Sequence, residues 1–442
     1  MTLRVDTLRL NNFRCFREAE LSLHPRLTVI VADNGMGKTA LLDALATGMA
    51  ELVDAMLDNR HSSGILPGDV RTSQGANDPA RLTINTLCEE KQVEWSLTRQ
   101  SAKSPMRRGS KLLAGALQAA EALKRQAEAP GSTLPLFTYY QSTRFAQSTF
   151  FDQKHPEMKK APEGRYDGFT DYLTPLSNAA HFNDWYAIRW RAVAKTTAPG
   201  AGSGGEALAE LSSVRNAVRT VLSPTGWSEI DWDDKQGCVV VEHSERGRLP
   251  LSLLSSGIRS MVALTADLAH RCASLNPHMG EDAASKTPGV VLIDEVDLHL
   301  HPSWQQSVIE LLQSAFTELQ LVLTTHSPQV LSTVYAESVR IVKHDAEESY
   351  INTPAFQTRG VESADVLAQI MGVDPIPQVS EAQDLQRFRS MIEEGATDSV
   401  NGTKLRGRLL DHFGEDHPLM LDCARLERFV AFKRRQKSEE SS

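Results

Sequence analysis

Residues 27–39 read LTVIVADNGMGKT: an unbroken apolar run, a glycine-containing turn and the start of a helix. The apolar run, residues 27–32, predicts a buried strand. From Thr39 onward, apolar residues recur at helical spacing, at Leu41, Leu42, Leu45, Met49 and Leu52. A buried strand, a glycine turn and a helix in this order predict a phosphate-binding loop at residues 32–39.

This loop supplies the groups that hold a triphosphate. Gly35 and Gly37 let the backbone approach a phosphate that a Cβ would block, and the loop amides and the positive end of the helix face the anion. Lys38 is expected to place a cation on the β and γ phosphates, and the Thr39 hydroxyl to ligate Mg²⁺. Ala32 stands where the motif usually has its first glycine, and this small residue still lets the loop close.

A second buried strand is predicted at residues 289–293, and it ends in two carboxylates, Asp294 and Glu295. The carboxyl edge of parallel strands is where open α/β sheets bind ligands. Asp294 is expected to hold Mg²⁺ through water, and Glu295 to polarise the attacking water. On this strand alone, two solvated acids would be an equal interpretation, but the phosphate-binding loop favours the chemical one.

Two further segments carry groups suited to an anion. His326 follows the apolar run at residues 319–325, and an imidazole there can donate a hydrogen bond to a γ-phosphate. Ser255, Ser256 and Gly257 open a predicted helix whose serine cap and unpaired N–H groups predict a second anion site. In isolation, each would be an ordinary strand end or helix cap.

The sequence disfavours a resident zinc site or a disulfide framework. The 5 cysteines are scattered and form no C-x-x-C pair, which suits a reducing compartment. His299 and His301 lie two positions apart, but no nearby Cys or His completes a ligand set, so we expect a loop there.

Composition narrows the class of protein. The 442 residues carry 47 Lys and Arg against 56 Asp and Glu, a net charge of -9, so a uniformly basic protein that coats nucleic acid is excluded. No apolar stretch is long enough to span a membrane. The first residues, MTLRVDTLRLNNFRCF, lack the apolar run of a secretory signal, so we expect a cytoplasmic protein without a membrane partner.

In chain order these segments resemble the motifs of ABC-type ATPases, in the branch of the structural-maintenance-of-chromosomes (SMC) and RecF-like proteins. The matches are ADNGMGKT (Walker A), LSSGIRS (signature), VVLIDE (Walker B), VDLHLHP (D-loop) and TTHS (switch histidine). The signature departs from LSGGQ at Ser256 and Ile258. The resemblance implies an α/β fold: an ABC-type ATPase head with a P-loop, a mixed sheet and flanking helices, together with a helical insertion and a C-terminal helical region.

The resemblance also implies that the chain hydrolyses ATP with Mg²⁺ and that Glu295 and His326 are catalytic. It places Arg14, in LRLNNFRCF, near the nucleotide. It suggests Gln141, in TYYQSTRF, as the Q-loop glutamine that joins Thr39 and Asp294 at the metal, with Gln147 as the alternative. The residues expected to bind the nucleotide are Arg14, Asn34, Gly35, Gly37, Lys38, Thr39, Gln141, Ser255, Ser256 and Gly257.

For the domain organisation, we expect an ATPase head at residues 1–345 with an insertion at about 146–250, which contains the linker-like TAPGAGSGG. Residues 346–442 are expected to form a C-terminal helical accessory region, in which about 436–442 are a disordered tail.

Nearly the whole chain also resembles a family of bacterial ATPases, through LRLNNFR, YDGFTDYLTPLSN and VLIDEVDLHLHPSWQQ. That family is similar to the ATPases of Septu and retron antiphage systems, whose partner is an HNH nuclease, joined in retrons by a reverse transcriptase with its RNA–DNA hybrid. In this branch the Walker A and signature segments, here 217 positions apart from Lys38 to Ser255, do not complete one site within one chain. The resemblance therefore implies an ATP-gated dimer that controls a partner effector, an HNH nuclease.

The alternative is a RecF-like DNA-repair or DNA-end-binding ATPase, for which DNA is a ligand. It depends on residues 99–125, where 7 Lys and Arg face one acid, Glu121. Such binding should weaken steeply with salt, and a solvated helix face is the plainer interpretation of this segment. A nuclease domain after residue 345 and a transporter motor are both disfavoured, the first because no Glu followed by an Asp-x-Asp pair stands there in a suitable context.

Overall fold

The computed structural model describes residues 3–58, 64–71, 78–104, 110–142, 164–174, 179–196, 205–345 and 349–439. The chain divides into two compact units, Met1–Met371 and Gly372–Ser442. The expected linker at residues 197–205 lies outside the described residues except for Gly205, which begins a helix. Of the expected disordered tail, about 436–442, residues 436–439 are helical instead, and 440–442 lie outside the described residues.

Within the described residues, the strands belong to the first unit. They are β1 (Leu3–Phe13), β2 (Phe16–Ser22), β3 (Leu27–Val31), β4 (Ala80–Cys88), β5 (Lys91–Arg99), β6 (Leu136–Tyr140), β7 (Trp227–Asp233), β8 (Cys238–His243), β9 (Gly247–Pro250), β10 (Gly289–Ile293), β11 (Leu319–Thr324), β12 (Val339–His344) and β13 (Ser349–Asn352).

The helices of the first unit are α1 (Lys38–Met56), α2 (Ser110–Ala127), α3 (Ala179–Thr196), α4 (Gly205–Leu222), α5 (Ser256–Leu275), α6 (Ala283–Lys286), α7 (Pro302–Gln305), α8 (Val308–Ala315), α9 (Pro328–Leu331) and α10 (Ser363–Gln369). Those of the second unit are α11 (Ser380–Glu394), α12 (Val400–Phe413) and α13 (Pro418–Glu439).

The central sheet has the strand order β13-β12-β3-β11-β10-β6. Its neighbours pair in parallel, except for the antiparallel pair β12 and β13. Every residue of β3, β6, β10 and β11 is buried, which explains their unbroken apolar runs. Because these four strands are parallel neighbours, their carboxyl ends meet at one edge of the sheet.

Helix α1 contacts both the central sheet and the antiparallel sheet of order β2-β1-β4-β5. The helix approaches β4 closely at Gly48, where a Cβ would lie 2.1 Å from Cδ1 of Ile84. The Gly48 carbonyl accepts a hydrogen bond of 2.9 Å from Nε1 of Trp95 on β5. Both sheets therefore fix the helix that follows the predicted phosphate-binding loop.

The α/β class, the mixed sheet with flanking helices and the C-terminal helices are confirmed. The expected helical insertion, about 146–250, is not purely helical, because its described part adds β7, β8 and β9 to α3 and α4. These strands form an antiparallel sheet of order β7-β8-β9. Among the described residues, no helix combines the length and the apolarity needed to cross a bilayer.

The division between the compact units falls after Met371, whereas the sequence placed a boundary after residue 345. Residues beyond 345 remain in the first unit because β13 pairs with β12. Val366 and Ile370 also lie in the first unit's apolar core. The second unit has a separate small core, made of Leu385, Phe388, Ile392, Leu405, Leu409, Met420 and Cys423.

Candidate nucleotide-binding site

One edge of the central sheet gathers four of the predicted segments. The loop at residues 32–39 follows β3, His326 follows β11 by two positions, Asp294 follows β10 directly and Gln141 follows β6 directly. The strands are adjacent in the order β3-β11-β10-β6. The fold therefore brings together segments that are up to about 290 positions apart in sequence.

The loop needs glycine at two positions for different reasons. Gly35 and Gly37 have φ values of 78° and 95°, in the left-handed region that favours glycine. At Gly37 there is also no space, because a Cβ would lie 2.6 Å from both Sγ of Cys15 and Cζ of Phe16. Helix α1 begins at the next residue, so its N-terminal amides open directly into the loop.

Lys38 is 7% exposed, and its ammonium lies at the base of the loop. Its Nζ donates to the carbonyl oxygens of Ala32, at 2.7 Å, and Asp33, at 3.1 Å. Burial lowers the pKa of Lys38, although the neighbouring carboxylates of Asp294 and Asp33 act in the opposite direction. The loop thus contains a cation in a poorly solvated position, where its attraction to an anion is strong.

Asp294 lies at the centre of the site and is 1% exposed. Its Oδ2 accepts a hydrogen bond of 2.9 Å from the Thr39 hydroxyl, and its Oδ1 accepts one of 2.5 Å from the Thr324 hydroxyl. Its backbone N–H donates to the Tyr140 carbonyl at 2.8 Å, which ties β10 to β6 just before Gln141. The structure therefore places the two main predicted metal ligands, Thr39 and Asp294, in direct contact.

The donor set fits Mg²⁺. A hydroxyl and a carboxylate are hard oxygen ligands, and Mg²⁺ usually takes few protein ligands, completing its shell with phosphates and water. The described residues contain no cluster of three or more His, Cys, Asp or Glu that could enclose a metal by themselves.

Glu295 has an unusual backbone, with φ of +51°. Its N–H donates to the Thr324 hydroxyl at 2.7 Å, and the N–H of Val296 donates to the Thr324 carbonyl at 3.0 Å. A left-handed conformation in a non-glycine residue costs about 1–3 kcal/mol and persists where neighbours enforce it. Thr324 is the enforcing neighbour here, and it orients both carboxylate residues; sequence reasoning did not single it out, although it begins the TTHS motif.

Ser255 occupies the N-cap position of α5 without a capping hydrogen bond from its side chain, Ser256 begins the helix, and both residues are exposed. Gly257 packs against the D-loop, since a Cβ there would lie 2.6 Å from the carbonyl oxygen of His299. Beside these three signature residues is a surface cavity of about 740 Å³, whose other lining residues include His299 and Trp304. Among the described residues, none of the loop at 32–39 lines this cavity.

Arg14 lies beside α1. Its Nη1 donates to Oδ2 of Asp43 at 2.6 Å, and its Nε donates to Oδ1 of Asp69 at 2.8 Å. Asp43, one turn after Thr39, also accepts from the Tyr139 hydroxyl at 2.8 Å. Arg14 is therefore near the loop but already paired with two carboxylates, and its contact with a nucleotide stays a prediction.

Two other sequence expectations can be placed. His301 accepts at Nδ1 from the backbone N–H of Ser303 and caps the short helix α7, as a loop residue would. In the basic segment 99–125, Lys124 pairs with Asp58 at 2.5 Å, while residues 105–109 lie outside the described part of the chain.

Two protein families match overlapping parts of the chain. Residues 7–183 match a family described as "AAA domain", and residues 165–332 match one described as "AAA domain, putative AbiEii toxin, Type IV TA system". The SMC head domain from Thermotoga maritima aligns with a TM-score of 0.43 at 15% identity, over 79% of this chain and 98% of that one.

The chain is 24% identical to the retron Vc95 probable ATPase of Vibrio cholerae serotype O1 biovar El Tor, over 90% of this chain and 85% of that protein. It is 25% identical to the retron Ec83 probable ATPase of Escherichia coli, over 95% and 86%. It is 26% identical to the Septu protein PtuA of Bacillus thuringiensis, over 35% and 40%. The chain is therefore an ATPase, overlapping parts of which match AAA-domain families, and the predicted resemblance to the ATPases of retron and Septu systems is confirmed.

Proposed function

We propose that this ATPase works as a dimer in which ATP lies between the Walker A loop of one copy and the signature residues of the other. The observation that carries the proposal is the separation of the two motifs. Lys38, Thr39 and Asp294 lie at one edge of the central sheet, whereas Ser255 and Ser256 are exposed beside a cavity that the loop does not line. A second copy would supply the missing half of each site.

In this proposal each residue has a role that its surroundings support. Lys38 and the amides after Gly35 and Gly37 bind the phosphates, with Asn34 beside them in the same loop. Thr39 and Asp294 would hold Mg²⁺, Asp294 through water, and the ion would neutralise the negative charge that develops on the phosphates.

The remaining roles concern the γ-phosphate and the water that attacks it. Glu295 accepts the proton of the attacking water, and His326 donates to the γ-phosphate. Gln141, which follows β6 directly, would join Thr39 and Asp294 at the metal. Arg14, beside the loop, would contact the nucleotide. Ser255 and Ser256 donate to the γ-phosphate from the other copy.

Mixing two inactive variants tests the shared site. Lys38→Ala removes the Walker A cation, and Ser256→Arg fills the space beside the exposed tip of α5. In a mixed dimer one of the two sites combines an intact Walker A with an intact signature. Since half of the dimers are mixed, we expect ATP turnover of about one quarter of the wild-type rate.

Each variant alone, at the same total concentration, should be inactive. The matched control is the Lys38→Ala protein taken through the same mixing procedure without the second variant. If the mixture stays as inactive as its components while both remain folded, each site is completed within a single copy and the proposed dimer mechanism is wrong.

We further propose that nucleotide-gated dimerisation controls a partner HNH nuclease in an antiphage system, with a reverse transcriptase and its RNA–DNA hybrid as additional partners if the system is a retron. The relatives named for retron and Septu systems support the type of system. The second compact unit supports docking. Along one face of α13, Leu421, Phe429 and Phe432 are 43%, 53% and 58% exposed, at helical spacing.

Replacing Phe429 and Phe432 by alanine should release the nuclease. Exposed aromatic anchors often dominate an interface, so we expect co-purification of an HNH nuclease expressed together with this chain to fall by at least about tenfold. ATP turnover should be unchanged, because neither side chain belongs to the first unit. Val400→Ala, at a valine that is 86% exposed at the start of α12, is the control. Full retention of the nuclease by the double variant would contradict docking on α13.

A further inference from the structure

A histidine that the sequence did not single out forms a hydrogen bond with the loop at residues 32–39. His344 is the last residue of β12, the neighbour of β3 in the central sheet. Its Nε2 lies 2.8 Å from the carbonyl oxygen of Met36, a residue of the loop. Because a carbonyl oxygen only accepts, Nε2 must carry the proton and donate.

A second contact involves the other ring nitrogen of His344, Nδ1. Nδ1 of His344 lies 2.7 Å from the hydroxyl of Ser349, the first residue of β13. The Met36 carbonyl selects the tautomer of the neutral ring with its proton on Nε2, and Nδ1 can then accept a hydrogen bond from the Ser349 hydroxyl. The ring also lies against Phe16, with centroids 5.5 Å apart.

Packing also confines the loop at the next residue. At Gly37, Sγ of Cys15 and Cζ of Phe16 lie only 2.6 Å from where a Cβ would be. The Met36–Gly37 peptide is therefore confined both by packing at Gly37 and by the hydrogen bond from His344 to the Met36 carbonyl.

Holding the Met36 carbonyl has a consequence for the next amide. A peptide group is planar and trans, so the carbonyl of Met36 and the N–H of Gly37 point in opposite directions from the same plane. A hydrogen bond that fixes the carbonyl toward His344 fixes the Gly37 N–H away from it. The Gly37 amide is one of the donors that cradle phosphate in such a loop.

We propose that His344 is a positioning residue for ATP binding, which orients the Gly37 amide by holding the Met36 carbonyl. The inference rests on the proposed function, in that the loop must bind the triphosphate. Unlike Lys38, His344 touches no nucleotide, and its effect passes through one peptide group.

Three substitutions separate the hydrogen bond from the packing of the ring. His344→Leu keeps an apolar side chain beside Phe16 but removes the donor. His344→Gln places an amide NH₂ near the position of Nε2, and His344→Asn places it about one bond short. We expect the leucine and asparagine variants to raise the Kd for a fluorescent ATP analogue and the KM for ATP about tenfold, the size of one buried hydrogen bond.

We expect His344→Gln to stay within about threefold of the wild type, and kcat to change little in all three, because loop amides bind the phosphates in both the ground and transition states. Recovery by glutamine but not by asparagine is a result that a purely structural role would not give. Thermal unfolding of each variant shows that the comparison is between folded proteins.

Two results would overturn the proposal. One is wild-type affinity in His344→Leu, and the other is equal loss in the glutamine and leucine variants, which would assign the effect to the ring itself. The Lys38→Ala variant separates these from a failure of the proposed function. If the wild type binds ATP and Lys38→Ala does not, the loop binds the nucleotide whatever His344 does; if neither binds, the proposed function fails.

Discussion

The Glu295→Gln variant should bind ATP almost as the wild type does but turn it over on the order of a thousandfold more slowly, the usual contribution of a general base. Glutamine has the same shape but cannot accept a proton from water. The substitution should leave the fold intact, because the left-handed backbone at this position is held by the hydrogen bond from its N–H to the Thr324 hydroxyl, which the variant keeps. Single-turnover phosphate release and equilibrium ATP binding measure the two quantities separately.

The same variant should accumulate as an ATP-bound dimer, visible by gel filtration with light scattering. Several charge-assisted hydrogen bonds from each copy to the trapped triphosphate stabilise the assembly by roughly 1.5–3 kcal/mol each. Glu310→Gln, on α8, is the matched control and should hydrolyse ATP at the wild-type rate. A strictly monomeric Glu295→Gln protein at saturating ATP would show that nucleotide does not join two copies.

Lys38→Ala should lose ATP binding by at least about a hundredfold, the equivalent of one to two charge-assisted hydrogen bonds in a poorly solvated site. The ammonium is largely buried at the base of the loop, where its attraction to a phosphate is weakly screened by water. Turnover and ATP-dependent dimer formation should both disappear with it. Isothermal titration with ATP and Mg²⁺, alongside a steady-state phosphate assay, measures the loss.

Lys124→Ala provides the control for the loss of a lysine. Lys124 pairs with the exposed Asp58, and surface pairs of this kind contribute about 0–1 kcal/mol. Its ATPase rate should therefore match the wild type. Appreciable turnover in a folded Lys38→Ala protein would show that residues 32–39 are not the phosphate-binding loop.

The sequence predicts the segments that act locally. The strand before the loop, the glycines and Lys38 occupy one continuous stretch, so a single window contains the whole signal. The positions of Asp294 and Glu295 at a strand end can be predicted in the same way, because an unbroken apolar run marks the strand that precedes them. Parallel pairing then implies, without further information, that these segments meet at one sheet edge.

Contacts across the fold could not be predicted in this way. Thr324 hydrogen-bonds both carboxylate residues, but its hydroxyl would look the same in any buried strand. The hydrogen bond between His344 and the Met36 carbonyl joins residues that are 308 positions apart in the sequence. The strand β13 is only four residues long and half-exposed, too short for a periodic pattern, and so the boundary of the first unit was expected too early.

The sheet order has a consequence for how a ribosome must make this protein. The strand β3 is complete at residue 31, yet its two partners, β11 and β12, begin only at residues 319 and 339. At synthesis rates of about 5–20 residues per second, roughly 15–60 s pass between the synthesis of β3 and the synthesis of its first strand partner, β11. Nascent chains are therefore expected to need chaperone protection during that interval, and a message broken before codon 340 should yield aggregation-prone product rather than a partly working enzyme.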